Sequence, residues 1–179
     1  MGPLVAEHGP LTLDPADDAF ARLVVSIVRQ QVSTDAAAAI RERVFDAVTV
    51  APAKVLAADP EALREAGLSG QKVRYVRAAA EAFRDHPERY ARETLAEQSN
   101  DEVRERLTEI TGVGRWTADM QLLFTLGRPD VFPVGDLGVR RGVERLVDAE
   151  LSRAEIRERA RRWAPYRSYA SLHLWANED

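Results

Sequence analysis

The side chains of this 179-residue sequence that could do chemistry gather on one stretch, Leu107–Asp136, LTEITGVGRWTADMQLLFTLGRPDVFPVGD, and on two short blocks far from it. Asp136 follows Gly135 and precedes an apolar helical pattern, so by position it is an N-cap. A carboxylate fixed there could also stabilise developing positive charge or take a proton from water, and the two roles are compatible. Trp116 and Trp175 present indole faces that attract cations, or else fill a core. Gln30 and Gln31 end an apolar run, where their amides either meet solvent or hydrogen-bond a ligand. Thr111-Gly112-Val113-Gly114 cannot continue a helix. Two glycines within three residues permit positive φ and a tight reversal, with Val113 plugging the angle against Leu107 and Ile110. The amides that open the following helix lack intrahelical partners and, with the helix dipole, form an anion site. An anion on so compact a reversal is most simply a nucleic-acid phosphate; the plain alternative is an αα-hairpin that uses glycine for sharpness.

What the chain lacks narrows the chemistry further. With no cysteine, disulfides and thiolate metal sites are excluded. His8, His86 and His173 are scattered and suggest no metal site, and Lys54 and Lys72 are the only lysines. No apolar run approaches the roughly 20 residues of a membrane helix, and no basic-then-apolar leader opens the chain. The expectation is a cytoplasmic monomer. The net charge of −4 argues mildly against a nucleic-acid partner. Its distribution weakens that objection: Arg153, Arg157, Arg159, Arg161, Arg162 and Arg167 face only Glu155 and Glu158 in their stretch, and Arg140, Arg141 and Arg145 follow Asp136.

The elements that must position these residues read as helices throughout. Residues 1–15 lack periodicity and read as an irregular lead-in. Phe20, Leu23, Val24, Ile27 and Val28 share one helical face. Ser33 caps the next helix, with Ala37, Ile40, Val44 and Val48 inward, and Pro52 breaks the chain. Asp59-Pro60 opens a short helix that stops at Gly67, and a further helix carries Val73, Val76, Ala80 and Phe83. Ser99 with Glu102, and Ser152 with Glu155, have capping-box spacing. Val139, Val143 and Leu146 share a face after Asp136, and a last helix follows Pro165 and runs to Trp175; Trp163 reads as core. No stretch alternates with period two for long enough to be a convincing strand, so the expectation is an all-α protein of eight to ten short helices.

The run LTEITGVGRWTAD, with Asp136 in VFPVGD 22 residues after Gly114, resembles the helix-hairpin-helix (HhH-GPD) DNA glycosylase superfamily. IVRQQVS at 27–33 and RWAPYRSYASLHLW at 162–175 are similar to its 3-methyladenine DNA glycosylase II (AlkA-type) branch. The three motifs stand in the right order, and the resemblance runs from about residue 20 to the C-terminus. It implies a two-lobed fold with a helical barrel over about 33–131, its hairpin at 107–126. The other lobe would be built from about 1–32 and 132–179, with Asp136 in the cleft. The branch commonly carries an additional N-terminal β-rich domain, which these residues do not include.

For the chemistry, the resemblance implies hydrolytic excision of alkylated purines from double-stranded DNA, with Asp136 as the catalytic carboxylate. Trp116, Met120 and Trp175 would line the base pocket. Met120 stands where the best-known pockets of the branch have a tyrosine, which leaves base preference open. Gln31 would fill the gap left by a flipped base, with Gln30 alongside, as a wedge in the DNA. Gly112, Val113, Gly114, Arg115 and Thr117 would bind DNA phosphate, and backbone carbonyls of Thr108, Ile110 and Val113 would hold a Na+ or K+ ion. No cofactor is implied for catalysis and no iron–sulfur cluster. Lyase members carry a lysine two residues after the second hairpin glycine, where this chain has Trp116, so the implied enzyme is monofunctional. Two alternatives stay open: a non-catalytic DNA-binding module, which needs none of Asp136, Trp116 and Trp175, and a monofunctional glycosylase for deaminated or mismatched bases.

Overall fold

A computed structural model describes residues 1–176. All the regular structure in it is helical: α1 (Gly2–His8), α2 (Ala19–Arg29), α3 (Thr34–Ala47), α4 (Pro52–Ala57), α5 (Pro60–Glu65), α6 (Gly70–Asp85), α7 (Pro87–Tyr90), α8 (Arg92–Ala96), α9 (Asn100–Thr108), α10 (Arg115–Phe124), α11 (Leu137–Val147), α12 (Arg153–Ala160), a 3-10 turn (Arg161–Trp163) and α13 (Arg167–Ala176). The all-α expectation holds, and thirteen α-helices exceed the eight to ten expected. The excess consists of very short helices. Pro52 does not break the chain but opens α4, because proline at the first helical position lacks only an amide that would have had no partner. The lead-in is likewise not irregular, since Pro3 opens α1 in the same way. None of the described helices is long and apolar enough to cross a membrane.

Two cores organise the helices. In the larger, α2 is central: Leu23, Val24, Ile27 and Val28 are fully buried against α6 and α10. Each such side chain contributes about 2 kcal/mol relative to exposure. The smaller core joins Leu4 of α1, Val139 and Val143 of α11, Ile156 of α12 and Leu174 of α13. The division therefore differs from the expected one. Residues 1–32 do not act as a unit, because α1 packs on α13 while α2 is the axis of the larger core. Trp175 packs against both cores. His8 and His173, far apart in sequence, meet at the α1–α13 contact with their Nδ1 atoms 3.4 Å apart. Among the described residues no group of three or more potential metal ligands forms.

Local signals place the helix ends. Asp18, Ser33, Asp59, Ser69, Ser99, Asp136 and Ser152 each accept a backbone amide of the first turn that follows. Both capping boxes form. The block Arg167-Ser168-Tyr169 is structural in its first two residues. Arg167 Nε and Nη2 donate to both oxygens of Asp130 at 2.6 and 2.8 Å, and buried Ser168 donates to the Arg128 carbonyl and accepts the Val131 amide. These contacts tie α13 to the segment that carries the chain from α10 toward Asp136.

The bond from Arg167 holds the Asp130 carboxyl below the ordinary carboxylate range, against a smaller opposing effect of burial. A depressed native pKa means the contribution is present above the unfolded carboxyl's pKa and is lost as pH falls through the native one. Asp130→Asn should thus cost about 1 kcal/mol at neutral pH after allowance for solvent screening, a fall in Tm of roughly 2–4 °C. The difference between mutant and wild type should shrink in thermal melts below pH 4, about where an ordinary carboxyl protonates.

Candidate active site

The hairpin between α9 and α10 turns on Gly112, whose φ is +87°. Tyr75 of α6 lies so close that a Cβ at this glycine would fall 2.0 Å from the ring. Gly112 is therefore required by the fold itself. Gly114 is different: its φ of −94° is open to any residue, and nothing lies within 4 Å of where its Cβ would be. The expectation that both glycines serve the turn is corrected for Gly114, whose missing side chain leaves clear space in front of α10. Gly114 caps α10 without a side-chain bond. The amides of Arg115, Trp116 and Thr117 take no backbone acceptor among the described residues, as the first turn of a helix dictates.

A cleft of about 860 Å³ opens beside this helix start. It is lined by the end of α2 and start of α3 (Arg29–Thr34), by Gly114, Trp116 and Thr117, by Gly135–Gly138 with Arg141, and by Trp175. Asp136, partly buried, is its focus. Its Oδ1 accepts the Val139 amide at 3.0 Å and the Trp175 indole N–H at 2.8 Å, and its Oδ2 accepts the Trp116 indole N–H at 2.8 Å. The cap and the candidate catalytic carboxylate are thus one group, oriented from three sides. A carboxylate oxygen accepts about two hydrogen bonds. Oδ1 is full, and Oδ2 keeps one lone pair for a ligand.

The structure brings Asp136, Trp116, Trp175 and Gln31 to one cleft and sets other expected residues apart. Met120 is buried in the larger core and does not line the cleft. It lies one helical turn beyond Trp116, where α10 faces inward against α2. Gln30 lines the cleft beside Gln31, and its Nε2 donates to the Gly112 carbonyl and to Thr117 Oγ1, both at 3.0 Å, and so fastens the end of α2 to the hairpin. Gln31, by contrast, is exposed at the cleft mouth with a φ of +57°. Among the phosphate-binding candidates, Gly114 and Arg115 are exposed. Val113 is buried as the plug, and buried Thr117 has its hydroxyl engaged by Gln30. Lys72, distant in sequence, is folded toward the hairpin, but its Nζ donates to the Val28 carbonyl in a separate recess beside Gly112. Burial lowers its pKa.

Sequence reasoning missed Phe124, which backs Trp175 with ring centroids 5.8 Å apart, and the clamp made by Gln30. It also missed Arg141 as a cleft residue, although the basic cluster after Asp136 was its signal.

Comparison with known proteins identifies the family and the fold. The family model of the HhH-GPD superfamily base excision DNA repair proteins matches residues 24–165. DNA-3-methyladenine glycosylase 1 of Schizosaccharomyces pombe is 32% identical over 181 residues, covering 96% of this chain and 78% of the relative. DNA-3-methyladenine glycosylase 2 of Escherichia coli is 30% identical, with 99% of this chain and 64% of the relative covered. The solved structure of the Schizosaccharomyces pombe 3-methyladenine DNA glycosylase in complex with abasic DNA superposes with a TM-score of 0.90 at 29% identity, covering 97% of this chain and 88% of that one. A hairpin with an open helix start, facing a carboxylate held between two indoles, therefore stands on the fold expected for it, and the chain belongs to the HhH-GPD superfamily of base excision DNA repair proteins, as a glycosylase of the 3-methyladenine branch.

Proposed function

We propose that this protein flips alkylated purines of the 3-methyladenine and 7-methylguanine type out of duplex DNA and excises them by hydrolysis, as a monomer without lyase activity. The observation that carries this reading is the Asp136 carboxylate gripped by the indole N–H groups of Trp116 and Trp175. Those bonds turn both rings toward the cleft that holds Asp136. An N3- or N7-alkylated purine is cationic and is attracted to indole faces. Being cationic, it leaves without protonation, which fits a cleft with one carboxylate among its described lining residues.

Catalysis in this reading is electrostatic. As the C1′–N bond lengthens, its electron pair goes to the base and the sugar becomes oxocarbenium-like. The free lone pair of Oδ2 stabilises that charge and accepts a proton from the attacking water, whose oxygen bonds to C1′. The amides of α10 and the Arg115 side chain hold the DNA phosphate. Gln31 fills the gap in the base stack, as base flipping requires. A Na+ or K+ ion would be held at the hairpin by the carbonyls of Thr108, Ile110 and Val113. The carbonyls of Thr108 and Val113 accept no hydrogen bond among the described residues, whereas that of Ile110 takes the Val113 amide, so the donor set suits a weakly held cation. The cation would secure the backbone turn and take no part in bond cleavage.

Monofunctionality gives a direct test. Trp116 stands where a Schiff-base lysine would, and Lys72 is engaged outside the cleft. Incubation with methylated duplex should leave intact strands bearing abasic sites that break only after alkali or heat. Borohydride present during turnover should trap no protein–DNA adduct. A trapped adduct would establish an imine and overturn hydrolysis as the only route; its attachment site would name the amine responsible.

A further inference from the structure

Behind the cleft, the aromatic wall continues into the protein. Trp175 holds Asp136 Oδ1 and lies against Phe124, and Phe124 in turn carries the Arg22 guanidinium over its ring, with Cζ 4.6 Å from the centroid. Arg22 projects from α2, partly buried, and its side chain enters no salt bridge among the described residues. Burial, then Arg29 and Arg41, lower its pKa to about 10, so it remains a cation at neutral pH. Packing does not call for that charge. A methionine would cover Phe124 as well without holding a cation partly out of water. The guanidinium also borders an open groove that it shares with Asp18, Glu42 and Asp46, none of them within salt-bridge distance, and it stands behind the wall of the base pocket.

We propose that Arg22 is a positioning and specificity-determining residue of this pocket: through Phe124 it fixes the Trp175 wall, and its charge weakens the pocket's preference for cationic over neutral bases. The inference rests on the functional reading above. Two indole faces and a carboxylate attract any cationic purine, and a flipped neutral base competes poorly in such a site. A guanidinium two rings behind the base, with no carboxylate in ion-pair contact among the described residues, opposes the cation and leaves the neutral base unaffected. Its path to the base runs through packed aromatic rings, where screening by salt and water is weak. The consequence is a wider range of substrates, reaching neutral deaminated purines.

The test is a ratio. Single-turnover release would be measured from duplexes carrying 7-methylguanine (cationic) or hypoxanthine (neutral), with wild type, Arg22→Met and Arg22→Lys. Arg22→Met should raise the cationic-to-neutral ratio of single-turnover rates at subsaturating enzyme by roughly three- to tenfold. Arg22→Lys, which keeps the charge, should return it to within about twofold of wild type. A purely structural role would slow both substrates in parallel, and an unchanged ratio overturns the proposal. A shift that lysine fails to correct also overturns it, as does wild-type protein that releases the cationic base but no neutral one. If Arg22→Met does not fold, Arg22→Gln supplies the neutral variant. Wild-type protein that releases neither base overturns both the functional reading and this one, whereas parallel changes in the variants sink only the role of Arg22.

Discussion

Asp136→Asn should bind duplex DNA within a few-fold of wild type and release base more slowly by about three orders of magnitude or more. The substitution nearly preserves shape, and an asparagine oxygen can still accept the Val139 amide that caps α11. What it removes is the negative charge that meets the sugar cation, together with an acceptor for one of the two indole N–H groups. That second loss has its own signature. An indole whose N–H has lost its acceptor should show altered tryptophan fluorescence in the free protein, before any DNA is added. Base release by Asp136→Asn near the wild-type rate would sink the catalytic role. A collapse of DNA binding together with activity would mean that Asp136 mainly holds the lobe together as a cap.

A second large effect separates the two hairpin glycines. Gly112→Val should destabilise the protein by about 3 kcal/mol or more, because positive φ and the clash with Tyr75 both oppose it. Gly114→Val should cost only about 1 kcal/mol, the loss of a favourable N-cap residue, since that backbone is relaxed and the space is open. Yet it should weaken DNA binding by roughly tenfold or more, equally for damaged and undamaged duplex, by blocking phosphate from the α10 amides. Thermal melts and binding titrations on the two variants measure both halves. A loss at Gly114 confined to damaged DNA would move that residue into the base pocket. A large fall in Tm for Gly114→Val would contradict the relaxed geometry.

Much of the fold could be read from the sequence, because helix ends are local. Ser99 with Glu102 and Ser152 with Glu155 formed the expected capping boxes, and the apolar face from Phe20 to Val28 is the axis of the larger core. Most of the shortest helices escaped notice, since four to seven residues carry too few periodic positions, as Pro87–Tyr90 shows; Pro60–Glu65 was legible because Asp59-Pro60 marks its start. The hairpin and Asp136 were legible because glycine spacing and a cap leave marks in the chain. Gln30 and Met120 are engaged in ways that their sequence positions do not announce. Resemblance assigns a role to a position, but whether a side chain is free depends on partners 82 and 87 residues away for Gln30, and on which way α10 faces for Met120. The support of Trp175 by Phe124 and Arg22 left no mark in the sequence, because it joins three helices by packing alone.

The chemistry of the released product reports most directly what this protein does. Duplex DNA methylated at purine nitrogens, incubated with the protein and separated from small molecules, should give free 3-methyladenine and 7-methylguanine in the chromatogram. They should appear far faster than by spontaneous depurination, and Asp136→Asn should reduce them to near the spontaneous rate. Methylated purines that stay on the DNA at the uncatalysed rate, while the protein binds that DNA, would contradict the account and leave a binding module in place of an enzyme.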